Sequence, residues 1–233
     1  MGRYPQYAPE LIFNPKLPTR LTSGMICYED DYLLIIDKPA GMLIHPTTTQ
    51  PEGTLYNLVK AYYESRGLAH DIHPVSRLDK NTSGLVIFAK EPIIQFWLSR
   101  LDITKEYLAL VEGQLKEPTG IIDAPIARNL ESIIERCVDF QRGKAAKTAY
   151  QVIKTFQDTS LVKLRLFTGR THQIRVHMAY LGHPLVNDNL YGNKGPQARH
   201  ALHAYRLVFR HPVGDFQLEI TRGLPQDLEA LLK

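Results

Sequence analysis

The sequence predicts an α+β fold: a mainly antiparallel, mixed β-sheet with helices and loops flanking a central cleft. Three observations carry that prediction. Short apolar runs with a two-residue period recur, as where Val162, Leu164 and Leu166 alternate with Lys163 and Arg165. Helical periodicity is confined to a few separate stretches. The runs also lack the strict strand–helix alternation that a parallel α/β sheet demands.

The elements follow in order. Residues through Pro18 include four prolines and read as extended. The chain is therefore divided into an extended N-terminal segment, residues 1–21, and one domain, residues 22–233. Tyr32 to Ile36 predict a strand, closed by Lys38-Pro39-Ala40-Gly41. Leu55, Leu58, Val59, Tyr62 and Tyr63 recur at helical spacing, with Gly67 as the stop. The run Leu85-Val86-Ile87-Phe88-Ala89 predicts a buried strand, and Tyr107 to Val111 another, closed by Glu112-Gly113. From Gln114 to Lys147 the periodicity is weak, so loops and a small hairpin over the main sheet are expected. Thr171 is the expected cap of a helix with the apolar stripe Ile174, Met178 and Leu181. Gly182 and Pro184 end it. Leu207-Val208-Phe209 and Phe216 to Ile220 predict a final strand pair. Pro225 then opens a short helix burying Leu228, Leu231 and Leu232.

Composition narrows the function. With 233 residues, 44% of them hydrophobic, the chain can bury a sizeable core. Lys and Arg number 28 against 24 Asp and Glu, a mild excess that permits a polyanionic partner where the charges cluster. Cys27 and Cys137 do not make a disulfide framework, and a reducing compartment is expected. The start lacks an apolar signal core, and Leu33-Leu34-Ile35-Ile36 stops at Asp37, far short of a bilayer span. A cytoplasmic protein without membrane association is expected.

The stretch Arg77-Leu78-Asp79-Lys80-Asn81-Thr82-Ser83-Gly84-Leu85 sets one acid between cations, just ahead of a buried strand. Cations favour the carboxylate form, and a rigid frame fixes it, so Asp79 can serve as nucleophile, base or electrostatic stabiliser. Three other polar segments adjoin strands: Asp37 to Pro46, Lys105-Glu106-Tyr107, and Gly169 to His177. In the last, Arg170, His172 and Arg175 lie at a helix start, where free N–H groups and the helix dipole welcome an anion. Arg142, Lys144 and Lys147 form a basic run that reads equally as phosphate contact or exposed loop. His70, Asp71 and His73 suggest a metal, but no third ligand stands at a usual spacing, and His172 and His177 do not share a helix face. No metal is expected.

Together these segments resemble the RluA class of pseudouridine synthases, from about Thr22 to Ile220. The resemblance rests on Arg77-Leu78-Asp79 with Thr82-Ser83-Gly84-Leu85, on Arg170-Thr171-His172-Gln173-Ile174-Arg175-Val176-His177, and on Gly182-His183-Pro184-Leu185-Val186-Asn187-Asp188 with Tyr191-Gly192. Lys38-Pro39 with Gly41, His45-Pro46, and Gly120-Ile121-Ile122 leading to Pro125-Ile126 match as well. It implies isomerisation of a uridine in RNA to its C-glycoside, without cofactor or metal. It implies Asp79 as the essential aspartate, Tyr107 as the tyrosine against the target base and a candidate for proton transfer, and Arg175 as the arginine pairing with the aspartate. Arg77 corresponds to the residue that replaces the extruded uridine in the stack, and Leu202 to an apolar contact with the base. Lys38, His45, Arg170, His172, Lys144 and Lys147 complete the expected substrate-binding set. The expected partner is an rRNA or tRNA stem-loop, with no protein partner, and the chain is expected to be a monomer. Ser76 departs from the class, most members of which have His there. About twenty residues before Leu21 are too few for the separate N-terminal RNA-binding (S4-type) module of many relatives. The competing reading is a non-catalytic RNA-binding or RNA-chaperone domain.

Overall fold

A run that is apolar on both faces belongs inside a sheet, and that is where the computed structural model, describing residues 15–69, 71–193 and 199–232, places it. The strand β4 (Ser83–Ala89) is buried at all seven positions. The elements before it are β1 (Ile26–Glu29), β2 (Leu33–Lys38), α1 (Leu55–Ser65) and β3 (His73–Pro74). After it come α2 (Pro92–Leu98), β5 (Thr104–Glu112), β6 (Thr119–Asp123), β7 (Ile126–Arg128), β8 (Arg136–Val138), β9 (Lys147–Thr155) and β10 (Thr159–Leu166). The chain ends with α3 (Gln173–Tyr180), β11 (Leu202–Arg210), β12 (Gln217–Thr221) and α4 (Gln226–Glu229).

Ten of these strands form one sheet, in the order β1-β2-β4-β11-β5-β10-β9-β6, with β12 on β11 and β3 on β4. Every pairing among the described strands is antiparallel except β4 with β11, which run parallel at Ser83–His203 and Gly84–Ala204. The sheet is therefore mixed and mainly antiparallel, as expected. At Gly84 the backbones come so close that a Cβ would stand 2.2 Å from the Ala204 carbonyl oxygen. Its φ of +114° is a second reason that only glycine fits.

Alternation along β2 and β4 splits the core. Leu33, Ile35, Leu85 and Ile87 pack with Ile94 and Leu98 of α2, while Leu34, Ile36, Val86 and Phe88 pack with Leu55, Leu58, Val59 and Tyr63 of α1. Farther along the sheet, Tyr107, Ala109 and Val111 of β5 join Val162 and Leu164 of β10 under Ile174 and Met178 of α3. Helix α1 opens on a capping box in which Asn57 takes the place of the usual Glu or Gln: its side chain accepts from the Thr54 N–H, and Thr54 Oγ1 accepts from the Asn57 N–H. Gly67 follows its end at a φ of +66°, as the sequence predicts.

Three expectations need correction. Between Gln114 and Lys147 only β7 and β8 form the small hairpin; β6 extends the main sheet by pairing with β9. Its single fully buried residue, Ile122, is too little to make a period visible. Thr171 does not cap α3. His172 holds the cap position at a φ of +59° with no side-chain bond to the helix. Instead Gln173 folds back, its Oε1 accepting from the Thr168 hydroxyl and the Arg170 N–H. Leu181 is also exposed rather than part of the buried stripe. Leu17 and Leu21 lie against the α1 cluster, whereas residues 1–14 of the proposed extended segment fall outside the described residues. Among the described residues, no helix is long and apolar enough to cross a membrane.

Candidate active site

The loop that carries Asp79 is fastened on several sides. Lys38, at the end of β2, is fully buried, and its ammonium donates to the carbonyls of Pro39, Met42 and Lys80 at 2.9–3.0 Å. The Gly41 N–H also donates to the Lys80 carbonyl. Arg199 grips Asp227 of α4 and donates to the Asn81 carbonyl at 3.2 Å. Thr82 Oγ1 bonds His200 Nε2 at 2.7 Å, and Ser83 bonds His203. This corrects the assignment of Lys38 to substrate binding: all three of its donors are used inside the protein. Burial pushes its ammonium down to about 7 against the pull of Asp79, and the three carbonyls match the three N–H bonds of the charged form. It holds the loop at Lys80, one residue from Asp79.

Asp79 itself is part-exposed, its side chain 27% accessible. Its Oδ2 faces two groups from the start of α3: Arg175 Nη1 at 3.5 Å and His172 Nε2 at 3.8 Å. The expected Arg175–Asp79 pair is thus present but long. The fork of Arg175 is bonded to the fully buried Asp188, Nε to Oδ2 and Nη2 to Oδ1, both at 2.7 Å. The remaining Asp188 oxygen capacity takes the N–H groups of Leu190 and Tyr191. Arg175 also lies over the Tyr191 ring, 5.0 Å from its centroid.

Tyr107 is buried on β5, opposite Ala204 of β11. Burial, and then the charge of Asp79, push its phenol far above the ordinary range, so it is neutral at physiological pH. Leu202 lies in the same apolar cluster, with Leu78 packed against it. Arg77 is exposed at the loop's outer face, and His45 is exposed with its ring stacked on Tyr56. Arg170 is exposed and donates to the Ala145 carbonyl. Within the basic run, Arg142 is paired with Asp139 and Lys147 with Asp123, while Lys144 is exposed. Of the three residues weighed as a metal group, His73 Nε2 lies 3.6 Å from Asp71 Oδ2, and His70 lies outside the described residues. Among the described residues no group of three or more His, Cys, Asp or Glu could hold a metal.

Four residues of the site were given no role from sequence. Asp188 and Tyr191 stand in a recognisable segment, and an acid there could have been matched to Arg175. Arg199 and His200 carry no local signal, because their partners lie 28 and 118 residues away.

Four histidines are held below their ordinary pKa, in each case chiefly by burial: His172, His177, His200 and His203. His200 is further lowered by Arg175, Arg199, His172 and Lys38. The unfolded chain takes up protons near pH 6.5, while the folded chain does so only at lower pH. Below about 6.5 the unfolded state therefore binds more protons, and stability falls as pH falls, by up to about 1.4 kcal/mol per pH unit for each histidine. The lowered carboxylates Glu29, Asp30 and Glu106 act only in a more acid window. Thermal melts from pH 7.5 to 5.5 should show Tm dropping steadily once pH passes 6.5; a flat Tm across that range would contradict the assignment.

The chain matches a known family in sequence and in fold. Residues 32–180 match the model described as RNA pseudouridylate synthase. An uncharacterized RNA pseudouridine synthase of Bacillus subtilis, YjbO, is 39% identical over 89% of this chain and 75% of its own length. Ribosomal large subunit pseudouridine synthase D of Nitrosomonas europaea is 40% identical over 89% of this chain and 64% of its own. Among solved structures, human RNA pseudouridylate synthase domain containing 4 has the same fold, with a TM-score of 0.70 at 23% identity over 88% of this chain and 90% of that one. Human RNA pseudouridylate synthase domain containing 1 gives 0.68 at 26% identity, over 89% and 92%. The chain belongs to the RNA pseudouridylate synthase family, whose members are isomerases.

Proposed function

We propose that this protein converts a specific uridine in a stem-loop of rRNA or tRNA to pseudouridine, with Asp79 as nucleophile and the base extruded from the helix. Residues 22–233 act as one catalytic unit and as a monomer in the cytoplasm. The observation that carries this reading is the part-exposed Asp79 carboxylate, flanked by Arg175 and His172 at the start of α3. The relatives named for the large ribosomal subunit favour rRNA.

The chemistry balances without an oxidant or reductant. The C1′–N1 bond breaks, a C1′–C5 bond forms, one proton leaves C5 and one arrives at N1. Asp79 either attacks the substrate or stabilises the detached sugar. Tyr107 enters as a neutral phenol, offering a flat face to the base. It becomes a better proton donor once the Asp79 charge is spent in a bond, since that charge is one of the two causes holding its pKa up. Extrusion of the base costs roughly a few kcal/mol, and the planar guanidinium of Arg77 fills the gap.

The test is to map pseudouridines in RNA from cells with and without the protein, then to repeat the reaction in vitro on the stem-loop identified. One or a few sites should depend on the protein; no dependent site would refute the proposal. Arg77→Ala should lower kcat/KM on the folded stem-loop by roughly 10–100-fold, and by less on an unstructured RNA. Unchanged turnover on the folded RNA would show that Arg77 is only a solvated surface cation.

A further inference from the structure

The hydrogen bonds around Tyr191 fix more than its own ring. The phenol oxygen accepts the backbone N–H of Arg136 in β8 at 2.8 Å, and it stands 2.7 Å from His172 Nδ1. Among the described residues, His172 Nδ1 is the partner in place for the phenol proton. If Tyr191 donates that proton, Nδ1 is the acceptor and the single imidazole proton must sit on Nε2. Nε2 is the nitrogen that faces Asp79 Oδ2.

We propose that His172 is a positioning residue: Tyr191 holds it as the Nε2–H tautomer, and with Arg175 it steadies Asp79 Oδ2, leaving Oδ1 for the sugar. This deepens the reading of Asp79 as nucleophile and rests on it. It also reassigns His172, which sequence placed among the substrate contacts. The separation of 3.8 Å is an electrostatic contact that a bound substrate can tighten to a hydrogen bond. The groups facing the ring are Asp79, Arg175, Asp188, Arg136 and Tyr191, and burial keeps it neutral at pH 7. The edge-on packing of the two rings, centroids 5.6 Å apart, restricts their rotation.

The geometry has a consequence outside the site. The Arg136 N–H belongs to the β7–β8 hairpin, so displacement of that hairpin would loosen Tyr191 and, through it, the tautomer that faces Asp79.

The direct test is nitrogen-15 NMR of the histidine rings in the whole protein. His172 should show a proton-bearing Nε2 and a bare, hydrogen-bonded Nδ1, and Tyr191→Phe should abolish that fixed state. A proton on Nδ1 of the wild type overturns the proposal. Kinetics supply an independent arm. Asn adopts left-handed backbone readily, so His172→Asn keeps the φ of +59° and a polar atom near Tyr191 but loses the donor near Asp79. His172→Gln restores a donor at the outer position. Single-turnover rates should fall about tenfold or more for His172→Asn and stay within about threefold of wild type for His172→Gln. Equal rates for His172→Asn and wild type also overturn the proposal. The ring NMR does not depend on turnover, so it separates this inference from the assignment of Asp79, which Asp79→Asn tests alone.

Discussion

Replacing Asp79 by Asn is expected to reduce pseudouridine formation to background while RNA binding and Tm stay near wild type. The amide keeps the size and planarity of the carboxylate but neither its charge nor its nucleophilicity. Little stability should be lost, because the side chain is part-exposed and its contacts with Arg175 and His172 are long, at 3.5 and 3.8 Å. Such a contact is worth on the order of 1 kcal/mol or less. The loop is held by Lys38, Arg199 and His200, whose bonds run to other groups than the Asp79 carboxylate. The measurement is a turnover assay on the mapped stem-loop beside a gel-shift titration. Wild-type turnover by the Asn variant would end the catalytic assignment and favour the competing reading, a domain that binds RNA without modifying it.

Asp188→Asn should have a different signature, with stability and activity falling together. Asp188 is fully buried and takes both arms of the Arg175 fork. Neutralising it leaves a guanidinium that is only 6% exposed without its main counter-charge. Breaking a buried pair in this way costs about 3–5 kcal/mol. Arg175 is then free to turn wholly toward Asp79, which would replace a long contact with a tight ion pair and quench the carboxylate. Denaturant melts and single-turnover rates on the same preparation test both halves. A variant with wild-type stability would show that Asp188 contributes no net stabilisation. One that loses stability but keeps full activity would show that the fork does not govern Asp79.

The contrast between these two acids marks the boundary between what sequence and structure each supplied. Asp79 could be proposed from sequence because its signal is local: an acid between cations, followed by a polar turn and an apolar run whose burial follows from composition alone. The same holds for β2, β4, α1 and the β11–β12 pair, where periodicity and turn residues act over a few positions. The mixed sheet was legible as a class, from strands without regular alternation with helices. The neighbours of Asp79 were not legible in this way. The loop depends on a buried lysine, on Arg199 and on His200, reached across 42, 118 and 118 residues. Lys38 was placed among the substrate contacts because nothing near it in sequence shows that three carbonyls will surround its ammonium. Thr171 looked like a cap because the pattern cannot show that the backbone turns left-handed one residue later. By itself the sequence determined where β2, β4, α1 and the β11–β12 pair form and which carboxylate to propose as catalytic, because those follow from propensities and short-range burial. Only the tertiary structure decided which cations face that carboxylate, which are spent in holding its loop, and which acid Arg175 grips, because burial and hydrogen-bond partners are properties of the packed chain.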